Sequence, residues 1–153
     1  MTFKRTFWLA SALVVCAALA IASAPWALSM PELNFVFKPL ATLAVIAHAW
    51  PRGQQTPTVR RWVLAGLVFS LAGDVALLWP QQGFLPGLVS FLLAHVAYLV
   101  AFTRMQRLAA WPPAFVAYAG VAGLILWRLW PGVPEALQAP VVAYVVCLAA
   151  MAA

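Results

Sequence analysis

The chain has 153 residues, of which 66% are hydrophobic and only 8% charged. That composition excludes an ordinary soluble domain, and apolar runs of about twenty residues recurring along it indicate membrane-spanning helices. The formal charge of +6 comes from nine Lys and Arg residues placed mostly in short connections, which suits orientation against a cytoplasmic leaflet and not nucleic-acid binding.

Runs bounded by Pro, Gly and charge predict six spans, near 7–24, 35–50, 61–79, 84–103, 113–130 and 137–153. The expected architecture is an all-α polytopic transmembrane bundle forming one domain over residues 1–153. Lys4 and Arg5 precede span one. Its end, Ala22-Ser23-Ala24, also fits a cleavable signal peptide. Retention is the expectation, because the apolar run exceeds a usual signal core and Pro25 directly follows the proposed cut. Cys16 in this span and Cys147 in span six have no metal-like spacing and read as small hydrophobes.

Span two opens with Lys38 in its outer part, and Asn34 and Thr42 stand four residues before and after it on the same helical face. Arg52, Arg60 and Arg61 then precede span three, whose run from Trp62 to Trp79 contains one carboxylate, Asp74. An Asp near a helix centre costs about 2.5 to 3.5 kcal/mol, while each surrounding Leu, Val or Phe returns about 0.3 to 0.6 kcal/mol. The segment inserts near break-even, so Asp74 needs a reason to be there. An intramembrane acid faces other helices or a wet cavity and marks a functional site by default.

Span four brings Ser90, His95 and Tyr98, with Phe91 one turn from His95, and Arg104 and Arg107 follow it. Only Arg128 and Glu135, near the last connection, disturb the alternation of loop charge. The positive-inside bias places the N-terminus in the cytoplasm and Asp74 in the outward half of span three, in a multi-pass cell-membrane protein, expected in a bacterial inner membrane. Trp26, Trp50, Trp62, Trp79, Trp111 and Trp130 fall near predicted span ends, at headgroup level. Counting about 1.5 Å per residue, Lys38 and Asp74 lie at similar depth with Ser90 near them, and His95 lies deeper. The expected cluster is Asn34, Lys38, Ser70, Asp74, Ser90, His95 and Tyr98.

Each residue has a plainer reading. Asp74 is also explained by an ion pair locking spans two and three, Lys38 by snorkelling to the headgroups, and His95 by an inter-helix hydrogen bond. Gly66, Gly73 and Gly87 suit close helix approach. One His and one Asp are too few for a metal site, and no cofactor is implied.

Lys38-Pro39-Leu40, Gly66-x-x-Phe69-Ser70-x-x-Gly73-Asp74 and Phe84-x-x-Gly87-Leu88-x-x-Phe91-x-x-Ala94-His95-x-x-Tyr98 occur in that order. Together they resemble the YhhN-like lysoplasmalogenase family. The resemblance implies an eight-span membrane enzyme that hydrolyses the vinyl ether bond of a lysoplasmalogen, a lysophospholipid, to a fatty aldehyde and glycerophospho-ethanolamine or -choline. Asp74 then corresponds to the family's first intramembrane aspartate. The family's C-terminal half, with a second aspartate in a Ser-Asp context, has no counterpart before Ala153, so the chain is expected to lack those spans.

A carboxyl group suits this chemistry. Protonation of the β-carbon gives an oxocarbenium ion, water adds, and the hemiacetal collapses to aldehyde and alcohol. The reaction needs a proton donor and a negative charge, as in glycoside hydrolysis. Low-dielectric burial favours a carboxyl's neutral form and a lysine partner favours its ionised form, so either role is open to Asp74. Lys38 pairs with Asp74 or holds the substrate phosphate. The alternatives are a small proton-coupled transporter using Lys38, Asp74 and His95, against which the sequence shows no paired Gly/Pro-broken spans in two corresponding halves, and a non-catalytic membrane scaffold. Partners are membrane lipids and the lysophospholipid substrate; the sequence does not define an oligomeric state.

Overall fold

A computed structural model describes residues 3–23, 30–105 and 112–152. Among them are six α-helices and no strand: α1 Phe3–Ala22, α2 Pro31–Ala49, α3 Pro57–Ala76, α4 Pro80–Thr103, α5 Pro112–Leu129 and α6 Glu135–Ala152, with a 3-10 turn at Trp130–Gly132 between the last two. Ala24, Pro25, Trp26, Arg107, Trp111 and Ala153 lie outside the described residues.

Prolines set most of the boundaries. Pro31, Pro57, Pro80 and Pro112 each open a helix, where the fixed φ suits the first turn and the missing N–H is not needed. Helices α2 and α3 therefore begin four residues earlier than expected. The expected span three also runs three residues too far. At Leu78 and Trp79 the amides turn to carbonyls three residues back, at 3.1 and 3.2 Å, and Trp79 leaves helical geometry (φ −114°, ψ 77°). The cause is Pro80, which disfavours helical backbone in the residue before it. Pro39, Pro86 and Pro140 lie inside α2, α4 and α6, each removing one intrahelical donor.

Among the described residues the helices pack as a row in the order α1, α2, α3, α4, α6, α5, each touching only its neighbours, with the α3–α4 contact the most extensive. Large apolar side chains point outward, among them Trp127 at 72% and Val116 at 69% exposure, while the buried apolar side chains among the described residues are Ala94, Ala97, Ala101 and Cys147. Small residues inside and large apolar residues outside are what lipid imposes, because lipid gives large side chains no reason to turn inward. Two helical stretches, Pro80–Thr103 and Phe115–Gly132, are long and apolar enough to cross a membrane, and shorter apolar stretches occupy Ala10–Ala22 and Glu135–Met151. Helices α2 and α3 are less apolar because they carry Glu32, Lys38 and His48, and Arg60, Arg61 and Asp74. The protein is an all-α polytopic membrane protein.

Glycine sets the α3–α4 spacing. A Cβ on Gly73 would lie 2.8 Å from the Phe91 ring, and one on Gly66 would overlap the Tyr98 ring. The two glycines and the two rings are both seven residues apart, so antiparallel helices match ring to gap over two turns. At the other end of α2, the Arg60 guanidinium donates to the Trp50 carbonyl at 2.6 and 3.1 Å and covers the Trp50 ring at 5.6 Å. Arg52 donates to the His48 carbonyl. These cations satisfy carbonyls that the helix end leaves free. Gly53, at φ +70°, makes the turn between the two arginines.

Candidate functional site

Asp74 lies on the last turn of α3, facing α2. Thr42 Oγ1 donates a hydrogen bond to Asp74 Oδ2, and Lys38 Nζ stands 3.8 Å from Oδ1. Lys38 and Thr42 are one helical turn apart, so a single face of α2 presents a cation and a hydroxyl to the two carboxyl oxygens. The Asp74 side chain is 14% exposed and that of Lys38 is 30% exposed.

One turn deeper on α3, Ser70 Oγ is 3.1 Å from the Tyr98 hydroxyl of α4. The Tyr98 ring reaches this point because Gly66 leaves room for it. His95 Nδ1 is 2.6 Å from the Phe91 carbonyl of its own helix. A carbonyl only accepts, so Nδ1 carries the hydrogen and Nε2 is the nitrogen left for other chemistry. The His95 imidazole stands edge-on to Tyr144 of α6 at 5.1 Å and to Tyr98 at 6.2 Å.

The seven expected site residues thus fall into distinct settings. Lys38 and Asp74 come together. Ser70 and Tyr98 bond to each other, and His95 joins them through the Tyr98 ring. Ser90 is half-buried at the level of Asp74, next to Phe91, and hydrogen-bonds to none of the others among the described residues. Asn34 is separate: its Nδ2 donates to the Ala20 carbonyl at 3.0 Å, which ties α2 to the end of α1. The distinction is angular, since eight residues carry the helix about 80° past alignment, so Asn34 and Thr42 do not share a neighbour.

Two participants were not among the expected site residues. Thr42 could be found from its one-turn spacing to Lys38. Tyr144 carried no usable signal, because α6 is almost wholly apolar after Gln138 and nothing in its pattern indicates which face meets α4. Among the described residues no group of three or more His, Cys, Asp or Glu could hold a metal ion.

Comparison with known proteins agrees with the motifs that frame this site. Residues 33–153 match the YhhN family, and that range contains the whole site. A Mycobacterium bovis protein named lysoplasmalogenase is 34% identical over 135 residues, covering 82% of this chain and 48% of the relative. A human protein also named lysoplasmalogenase is 34% identical over 110 residues, covering 71% and 44%. An Escherichia coli protein named uncharacterized membrane protein YhhN is 31% identical over 102 residues, covering 67% and 49%. This chain therefore spans about half the length of the curated relatives it matches. No solved structure is similar to it. With the family pattern matched across most of its length, the chain belongs to the YhhN family.

Proposed function

We propose that the protein is a lysoplasmalogenase-like hydrolase that cleaves the vinyl ether bond of a lysophospholipid by carboxylic acid catalysis within the membrane. The observation that carries this reading is Asp74, a shielded carboxyl group whose oxygens both face donors, Thr42 and Lys38. The names of the Mycobacterium bovis and human relatives support the same reaction class.

In this mechanism protonated Asp74 transfers its proton to the β-carbon. A C–H bond forms, the π electrons leave an oxocarbenium ion, and Asp74 becomes a carboxylate. Thr42 and Lys38 stabilise the charge that develops on Asp74 as the proton departs, which lowers the barrier because both are already in position. The carboxylate in turn stabilises the adjacent cation. Water adds to that cation and returns a proton to Asp74, and the hemiacetal collapses to fatty aldehyde and glycerophospho-alcohol. One water is consumed and the acid is regenerated. The loop charges support a cytoplasmic N-terminus in a bacterial inner membrane, which places Asp74 toward the outward face.

The test is aldehyde release from a lysoplasmalogen in detergent by protein expressed from its complete reading frame, beside Asp74→Asn. Release by the wild type and loss in the variant are expected. A proton-coupled transporter is the second reading, favoured by the placement of Lys38 beside Asp74 within the helices, since intramembrane ionisable pairs also line proton paths. It requires flux across sealed vesicles and no aldehyde in detergent.

A further inference from the structure

We infer that Lys38 is an anion-binding group beside Asp74 and that it holds the phosphate of the lipid on which Asp74 acts. The inference rests on the hydrolase reading above and adds a binding role to it.

Three observations support it. The first is the slackness of the ion pair. At 3.8 Å the Lys38–Asp74 separation exceeds a hydrogen bond, which ends near about 3.2 Å for N–H···O, and Lys38 donates no other bond among the described residues. Its ammonium has three donors, none committed, while Thr42 already donates to the far carboxyl oxygen. The second is the order of exposure. Lys38 is 30% and Asp74 14% exposed, so the cation is the more accessible of the two to an arriving anion. The third is the surrounding surface. Phe35, one turn nearer the start of α2, stands edge-on to Trp79 at 5.4 Å, and both rings are exposed. The Phe35–Trp79 contact joins the start of α2 to the α3–α4 connection and sets an apolar rim at the same end of the helices as the ammonium.

A cation about one helical turn inside an aromatic rim matches a ligand with an anion at one end and a hydrocarbon chain at the other. Lysine is a point charge that accepts phosphate from many directions, unlike the directional fork of arginine. The ammonium bridges the substrate phosphate and Asp74, so the headgroup is fixed on the outer side and the ether oxygen, a glycerol away, is brought level with the carboxyl group. Holding the substrate in this way gives Asp74 a defined β-carbon to protonate.

The test separates binding from turnover by using a saturated alkyl ether lysophospholipid, which has no vinyl ether to cleave, and the matching alkylglycerol, which has no phosphate. Both are titrated into purified protein, into Lys38→Met and into Lys38→Arg. Wild type is expected to prefer the phosphate-bearing lipid by roughly tenfold to a hundredfold, the range of a charged hydrogen bond. Lys38→Met loses that preference while binding alkylglycerol as wild type does, and Lys38→Arg retains most of it. Inorganic phosphate and glycerophosphate, added as competitors, distinguish a headgroup site from a site for free phosphate: weak competition supports the lipid, and displacement by either at equal concentration overturns it. An undiminished phosphate preference in Lys38→Met, or an equal loss for both lipids, assigns Lys38 to pairing with Asp74 alone and overturns the proposal. Asp74→Asn separates the two readings, since it abolishes aldehyde release from a lysoplasmalogen while leaving the phosphate preference. A preference that depends on Lys38 in a protein with no hydrolase activity supports the binding site and removes the reaction assigned to Asp74.

Discussion

Helices α3 and α5 are both about five turns long and rich in Leu, Val and Ala, yet they are used in opposite ways. On α3, Gly66 and Gly73 admit the Tyr98 and Phe91 rings of α4, and the same helix presents Ser70 and Asp74 to its neighbours. On α5, Val116, Val121, Leu124, Trp127 and Leu129 are all exposed, and a Cβ added to Gly120 or Gly123 would meet nothing within 4 Å. The polar chemistry is built where backbones approach closely, because close approach excludes lipid and lets short polar side chains reach one another. Where large side chains face outward, the helix only has to be apolar.

The sharpest way to break that contrast is to fill the gaps in α3. Gly66→Leu or Gly73→Leu forces a side chain into an aromatic ring and is expected to cost about 1 to 3 kcal/mol or more, read as a large fall in the midpoint of thermal unfolding in detergent. An unchanged midpoint would mean that α3 and α4 do not pack in this register. Thr42→Val keeps the shape and removes one donor to Asp74. It is expected to lower the rate of aldehyde release about tenfold to a hundredfold with little change in unfolding, whereas a purely structural hydroxyl would lower stability and leave the rate per folded molecule unchanged.

Tyr98→Phe removes the bond to Ser70 and keeps the ring against Gly66, so a loss of about 0.6 kcal/mol is expected, typical of inter-helix hydrogen bonds in membranes. A much larger loss would identify the hydroxyl as part of a wider network. Gly120→Ala sits at the other extreme. It meets no neighbour and gains helix propensity, so it is expected to be neutral or to stabilise by up to about 1 kcal/mol. Clear destabilisation would show that α5 has a close partner on that face.

The helix number, the isolation of Asp74 and its nearness in depth to Lys38 were legible because each depends on one-dimensional quantities: apolar run length, the cost of an acid among apolar residues, and depth from a span end. The helix starts at Pro31 and Pro57 were misplaced because polar residues in a first turn resemble a loop when hydropathy alone is followed. Asn34 was grouped with Lys38 by four-residue spacing, although the slight advance of each turn directs it to α1. Tyr144 was not legible at all. Its place beside His95 depends on α6 packing against α4 ahead of α5, and no pattern within α6 encodes that order.

The most direct test of the account follows the proton. A lysoplasmalogen is hydrolysed in deuterated water by protein from the complete reading frame, and the aldehyde is trapped at once by reduction and weighed by mass spectrometry. Protonation of the β-carbon by Asp74 predicts one solvent deuterium on the carbon next to the carbonyl, with aldehyde formation reduced about 10²- to 10⁴-fold in Asp74→Asn. Aldehyde without that deuterium, or an Asp74→Asn protein as active as wild type, would contradict it.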